Sequence, residues 1–231
     1  MSKITIEFFH DVICSFCFPM SYRMRQLKEM MPEVEIVHRS FALVRDENDF
    51  NLMFGSREAA KAEILGHWEH ANQNDDLHRF NIEGMKKTDF PFPSSMNVLI
   101  ACKAAYHIAG DAGYWDVFDA LQNALFVQNR NIEDIKIIKE CVLRTGIDFA
   151  KWEQHFDSPI IKEEVEKDLL LAEQYGIRGV PCLIINGKHR VNGAQPLEKV
   201  IQAIKSTVGE QEAISSSDAF CRFDDGKMNC D

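Results

Sequence analysis

The chain opens with Ile4, Ile6 and Phe8 set alternately against Thr5 and Glu7, and Phe9 closes the run. This period of two predicts a strand over residues 3–9, buried on at least one face. A short loop from His10 to Ile13 follows, and then a helix is predicted from about Ser15 to Met31. Pro19 falls in its first turns, where a missing N–H is tolerated. Val34–Arg39 reads as a second strand. From about Asn51 to Tyr175 the pattern turns almost wholly helical. Ser56–Asn74 is rich in Ala, Glu and Lys, and Phe90-Pro91-Phe92-Pro93 is a rigid break. Ser94 or Ser95 is placed to cap the next helix, whose Val98, Leu99, Cys102, Ala105, Tyr106 and Ala109 share helical spacing. Gly110 and Gly113 are expected to end it. Tyr114–Gln128, Ile132–Arg144 and Pro159–Tyr175 continue the helical series. After Gly176 strand chemistry returns: Cys182–Ile185, an Asn186-Gly187 hairpin turn, and the partner His189–Val191. Pro196–Ser206 reads as a last helix, and a mobile tail is expected from Ser215 onward.

The layout is strand, helix, strand, helical block, hairpin, helix. With Cys14-Ser15-Phe16-Cys17 at the mouth of the first helix, it predicts an α/β core of thioredoxin type, split between its second and third strands by a large all-helical insertion. The expected segments are 1–48 and 161–208 for the two halves of the core, 49–160 for the insertion, and 209–231 for a cysteine-containing tail.

Composition narrows the classes. Of 231 residues, 45% are hydrophobic and 27% charged, which suits a folded globular chain and not a disordered one. A formal charge of −10 disfavours nucleic acid or an anionic membrane as partner, since both recruit clustered cations. Glu7, His10 and Asp11 interrupt every apolar run near the start, so neither a secretory signal nor a membrane span is expected. The expected compartment is the cytoplasm, where a cysteine pair is more often catalytic or metal-binding than a structural staple. The seven cysteines are odd in number, so at least one is unpaired. Monomer and homodimer are equally compatible with this surface charge.

The chemistry concentrates at Cys14-Ser15-Phe16-Cys17. Unsatisfied N–H groups and the positive end of the dipole lie at a helix start, and they favour a thiolate over a thiol. Cys14 is the expected exposed nucleophile, and Cys17, about one turn on, the resolving thiol. The alternatives are half of a zinc site or two inert core thiols; no second close pair of ligands completes a zinc set, and no metal is expected. Gly179-Val180-Pro181 precedes the hairpin, where a cis proline would face the cysteines and leave the Val180 backbone to pair with a substrate chain. Val180, Ser15 and Phe16 are the expected substrate contacts.

The segment Asp11–Phe18, with Gly179–Gly187 and Val191–Pro196, resembles the FrnE-type branch of the DsbA family. Gln128–Ile132 and Gly146–Asp148 add to the likeness, which covers roughly residues 4–206. The resemblance implies a cytoplasmic thiol–disulfide oxidoreductase acting on protein or small-molecule disulfides and thiols. Two positions depart from it. Ser15-Phe16 stands where the family usually carries Pro-Trp, so no potential carries over. Cys182 replaces a bulkier residue or Thr and reads as a core hydrophobe. A glutathione-dependent isomerase or transferase of the kappa or 2-hydroxychromene-2-carboxylate type shares this architecture, but such enzymes typically hold Ser at the position of Cys14. A redox-regulated peptide-binding protein is the non-enzymatic alternative. No cofactor is expected beyond glutathione as reductant or co-substrate.

Other residues carry weaker signals. Glu7 is a candidate proton relay for Cys17, provided burial raises its pKa. A protonated His10 would favour a Cys14 thiolate, while Asp11 would oppose it and cap the loop. His67, His70 and His78 read as a solvated helix face and not a metal site. Cys221 and Cys230 are candidates for an auxiliary redox pair, and Cys102 and Cys141 for core packing.

Overall fold

A computed structural model describes residues 4–216, 221–224 and 227–230, with side chains from 4 to 207. The β-branched and aromatic run becomes β1 (Thr5–His10), followed by α1 (Cys17–Met30) and β2 (Glu35–Ser40). These form a βαβ unit with β1 parallel to β2 and Phe8 opposite His38. After the helical block, β3 (Cys182–Ile185) pairs antiparallel with β1, and β4 (His189–Asn192) with β3. The sheet order is β2-β1-β3-β4. Asn186 and Gly187 carry φ of 49° and 69°, the left-handed backbone that a two-residue hairpin turn requires. This is the expected thioredoxin-like α/β fold.

Helices cover both faces of the sheet. Ile6 and Phe8 pack with Met20, Met24 and Leu27 of α1 and with Val200 and Ile204 of α9 (Leu197–Ser216). Phe9, Cys182 and Ile184 pack against Ala172 of α8 (Pro159–Gln174) on the other face. Burying each large apolar side chain contributes about 1.5–3 kcal/mol, so the alternation that predicted β1 also anchors it.

The insertion between β2 and β3 holds α2 (Glu47–Phe54), α3 (Arg57–Asn74), α4 (Ile82–Lys86), α5 (Met96–Phe126), α6 (Ile135–Arg144) and α7 (Phe149–Phe156), and leads into α8. As expected, the helical path breaks at Gly110: Ala109 and Gly110 leave helical geometry, Gly110 at φ 62° and ψ −150°, so α5 is two helices joined at a kink. Gly113 sits where a Cβ would lie 2.6 Å from the Ala105 carbonyl oxygen, so only glycine fits that close turn. The insertion has no separate core: Val12, Ile13, Cys14 and Cys17 belong to the same buried cluster as Trp68, Leu121, Phe126 and Trp152. Helix α9 runs beyond the expected Ser206 to Ser216. The end strands β5 (Cys221–Asp224) and β6 (Lys227–Cys230) pair antiparallel with Cys221 opposite Cys230.

Candidate functional site

Cys14 lies in the turn between β1 and α1. Its N–H donates to the Asp11 carbonyl at 3.2 Å, and its own carbonyl accepts the Cys17 N–H at 3.1 Å. The same Cys17 N–H lies 3.2 Å from Cys14 Sγ. A donor at the mouth of a helix, aimed at sulfur, favours negative charge there. On its other side the Cys14 thiol donates to the Val180 carbonyl at 3.4 Å. The Val180–Pro181 peptide is cis, and the Pro181 carbonyl accepts the Gly193 N–H at 2.8 Å. The hairpin loop thus presents its backbone directly to the first sulfur.

Cys14 is not the exposed thiol expected from sequence; it is 4% exposed, and Cys17 is fully buried. The insertion and the proline loop roof the pair. Access runs through a groove of about 240 Å³, with Cys14, Ser15, Phe16 and Val180 on one side and Phe54 and His67 on the other. A larger cavity of about 510 Å³ lies by Arg25, Lys28 and Trp115, with no cysteine in its lining. Both cysteines are free thiols. Burial pushes the Cys17 thiol well above its ordinary pKa, and the hydrogen bond and charge of Cys14 push it further. Charge on Cys14 therefore opposes charge on Cys17.

Asp11 is the buried acid of the site. Its Oδ2 accepts the Leu43 N–H at 2.7 Å and the Ser95 hydroxyl at 2.6 Å, and its Oδ1 accepts the Ile13 N–H at 3.3 Å. It caps the cysteine loop as expected, and it also ties that loop to the segment after β2 and to the start of α5. Burial raises its pKa to about 6 despite these donors, because none of them is charged. Its backbone N–H favours charge on Cys17, and its carboxylate opposes it. Ser95 sits at the expected cap position of α5, but its hydroxyl serves Asp11 and not the helix.

Glu7 stands elsewhere. Its Oε1 accepts Arg39 Nε at 2.9 Å, and its Oε2 accepts the Tyr175 hydroxyl at 2.7 Å. Among the described residues no hydrogen bond joins it to either cysteine. Arg39 continues to Asp168, which also takes Lys103 at 2.5 Å and the Ser40 N–H at 3.0 Å. Glu7 is one end of an ionic seam. His10 also differs from expectation. Its Nε2 lies 3.1 Å from His38 Nδ1, and its ring is stacked on Phe8 and packed against Phe118. Burial drives its pKa well below the ordinary range, so it is neutral and brings no cation to Cys14.

Cys102, Cys141 and Cys182 are buried, as expected of core thiols. The side chains of Cys221 and Cys230 lie outside the described residues, as does any pairing between them. His78 bonds the Asn72 carbonyl at 2.6 Å, and no group of three or more metal-binding side chains gathers among the described residues. Sequence reasoning missed the buried-acid character of Asp11, the part played by Ser95, and Gln122, whose amide donates to the Val12 carbonyl at 3.2 Å. The one local signal was a carboxylate three residues before the first cysteine.

Comparison with known proteins agrees with this geometry. The profile of the DSBA-like thioredoxin domain matches residues 5–205. The thiol:disulfide interchange protein DsbA of Pseudomonas aeruginosa is 29% identical over 75 residues, 32% of this chain and 36% of that protein. The matched stretch thus spans about a third of that relative's length. Among solved structures, a Nitrosomonas europaea protein provisionally assigned as a disulfide isomerase superposes with a TM-score of 0.72 at 18% identity, over 90% of this chain and 99% of that one. The cytosolic disulfide reductase DsbM of Pseudomonas aeruginosa gives 0.66 at 15% identity, over 91% and 99%. At such identities the likeness is one of fold.

Proposed function

The chain belongs to the DSBA-like thioredoxin domain family, and from that premise we propose that it is a thiol–disulfide oxidoreductase working through Cys14 and Cys17. The observation that carries this reading is the setting of Cys14 Sγ, held between the Cys17 N–H and the Val180 carbonyl beside the cis proline. The Cys14 thiolate attacks a substrate disulfide, forms a mixed disulfide and releases one substrate thiol. Cys17 then attacks Cys14, closing the internal disulfide and releasing the second thiol. Before it attacks, Cys17 must lose a proton in a buried setting. Asp11, raised toward neutrality and electrostatically tied to Cys17, is the acceptor we assign. Run backwards, the oxidised pair donates its disulfide. Val180, Ser15 and Phe16 contact the substrate.

The FrnE-type branch and a cytoplasmic setting belong to this proposal, supported by the cysteine-loop motif and the fold shared with cytosolic DsbM. Protein or small-molecule disulfides are the substrates, and glutathione serves as reductant. The test is reduction of a protein disulfide by wild type, Cys14→Ser and Cys17→Ala. Cys14→Ser should abolish exchange, and Cys17→Ala should trap a mixed disulfide. Isomerase or transferase turnover with glutathione that survives Cys17→Ala would assign the chain to the glutathione-dependent class instead.

A further inference from the structure

We propose that His67 is the acid–base group on the substrate side of this exchange, protonating the thiolate that leaves when Cys14 attacks. The inference rests on the oxidoreductase reading above and adds a residue from the insertion to it.

The groove beside Cys14 is mostly apolar. Phe16 comes from the cysteine loop, Met53 and Phe54 from α2, Ile64 from α3 and Phe92 from the loop before α5. A substrate thiolate expelled into such walls loses much of its hydration, which raises its free energy. A proton donor at that place removes the difficulty. Of the side chains lining the groove, the titratable ones are Cys14 and His67. His67 reaches it because it lies three residues after Ile64, on the same face of α3. Trp68 and Ala71 are fully buried, while His67 is exposed at the rim. Among the described residues its ring makes no hydrogen bond, so both nitrogens are free for substrate.

Other candidates for the task are accounted for. His10 is neutral and enclosed by Phe8, His38 and Phe118. The residues between the cysteines are Ser15 and Phe16, which offer no acid near neutrality. On α3 itself, Glu63 lies four residues before His67 and His70 three after. From the facing elements the Cys14 thiol is the titratable group in the lining; α2, the Phe92 loop and the Val180 loop contribute none.

The step balances. Cys14–S⁻ attacks RS–SR′, the substrate S–S bond breaks, and Cys14–S–S–R forms. The displaced R′S⁻ takes a proton from the His67 imidazolium, leaving R′SH and neutral imidazole. In the reverse direction the neutral ring accepts the proton of R′SH as that thiol attacks. Imidazole is suited to both halves because its charge changes in the physiological range.

The test measures the first exchange step alone, in the full chain carrying Cys17→Ala. Two disulfides are compared, one releasing an aliphatic thiol and one releasing the acidic thionitrobenzoate. His67→Gln should slow the aliphatic substrate about 10²-fold at pH 6 and flatten its pH profile. The thionitrobenzoate reaction needs no proton and should be unchanged, as should alkylation of Cys14 by iodoacetamide, which expels iodide. Added imidazole should restore part of the rate to His67→Ala. Equal slowing of all three reagents would show a structural effect on Cys14 and overturn the proposal, as would no slowing of any. If the protein with native His67 and Cys14 exchanges with neither disulfide, the oxidoreductase reading itself falls.

Discussion

Two buried aspartates, Asp11 just after β1 and Asp168 on α8, meet different partners. Asp11 accepts hydrogen bonds from a hydroxyl and two amides and, among the described residues, from no cation. Asp168 meets Lys103 at 2.5 Å and Arg39 at 3.3 Å. Neutral donors leave the Asp11 carboxylate short of what water would supply, and its pKa rises to about 6. Cationic partners instead hold Asp168 as one end of a strut between α8, α5 and β2. Burial alone does not make a carboxylate reactive; burial without a countercharge puts it within reach of proton transfer at neutral pH.

The contrast can be broken in graded ways. The largest effect is expected from Asp168→Ala, which leaves Lys103, 8% exposed, without its partner. Removing one member of such a pair costs about 3–5 kcal/mol, read as a shift of the urea midpoint. A loss below about 1 kcal/mol would mean that the seam relaxes into solvent.

Asp11→Asn comes next and should act on rate. On the proposed function, the resolving step should fall about 10²-fold at pH 7 and lose the acid limb near pH 6 expected from ionisation of Asp11. Stability should move the other way. A carboxyl whose pKa rises on folding supports the fold fully below its unfolded value near 4 and loses that support as pH climbs through about 6. The Asn variant should lack that decline. An unchanged pH profile for resolution would remove Asp11 from the proton path.

His10 and His38 give the opposite slope. Burial lowers both, His38 to about 3. Bases depressed by folding stabilise fully above about pH 6.5, and that support is lost as pH falls toward their folded values. Each should add about 1.4 kcal/mol of destabilisation per pH unit across that interval, measured by denaturation at stepped pH. The smallest effect is expected for Ser95→Ala. Losing the hydroxyl removes the bond donated to Asp11 and the one accepted from the Val44 N–H, each costing about 1 kcal/mol, and should move the Asp11 titration, followed through the resolving rate, further upward.

What could be read from sequence was what local rules decide. β1, the Asn186-Gly187 hairpin, the helix after Cys14 and the place of Pro181 each carry their signal within a few residues. The short helices α2 and α7 were not anticipated, because eight residues hold too few turns to display a period. Gly110 reads as a stop because glycine tolerates the positive φ that ends a helix, and the helical path does break there, at φ 62°. Glu7 and Asp11 were both visible as acids near the cysteines. Which of them is left without a cation depends on Arg39 and Tyr175, 32 and 168 residues away from Glu7, and no local pattern reports that. His67 was visible as part of a histidine cluster, but only the placement of α3 beside the cysteine loop puts it in the same groove as Cys14.

The unbroken apolar cluster from the Cys14 loop through Trp68 to Trp152 bears on how a chain of this family diverges. A lid with its own foundation could be exchanged wholesale among relatives. This one shares its foundation with the reactive sulfurs, so grafting it would disturb them. New preferences are then most readily acquired by single replacements along the rim, at Met53, Ile64 or His67, with the scaffold beneath left in place.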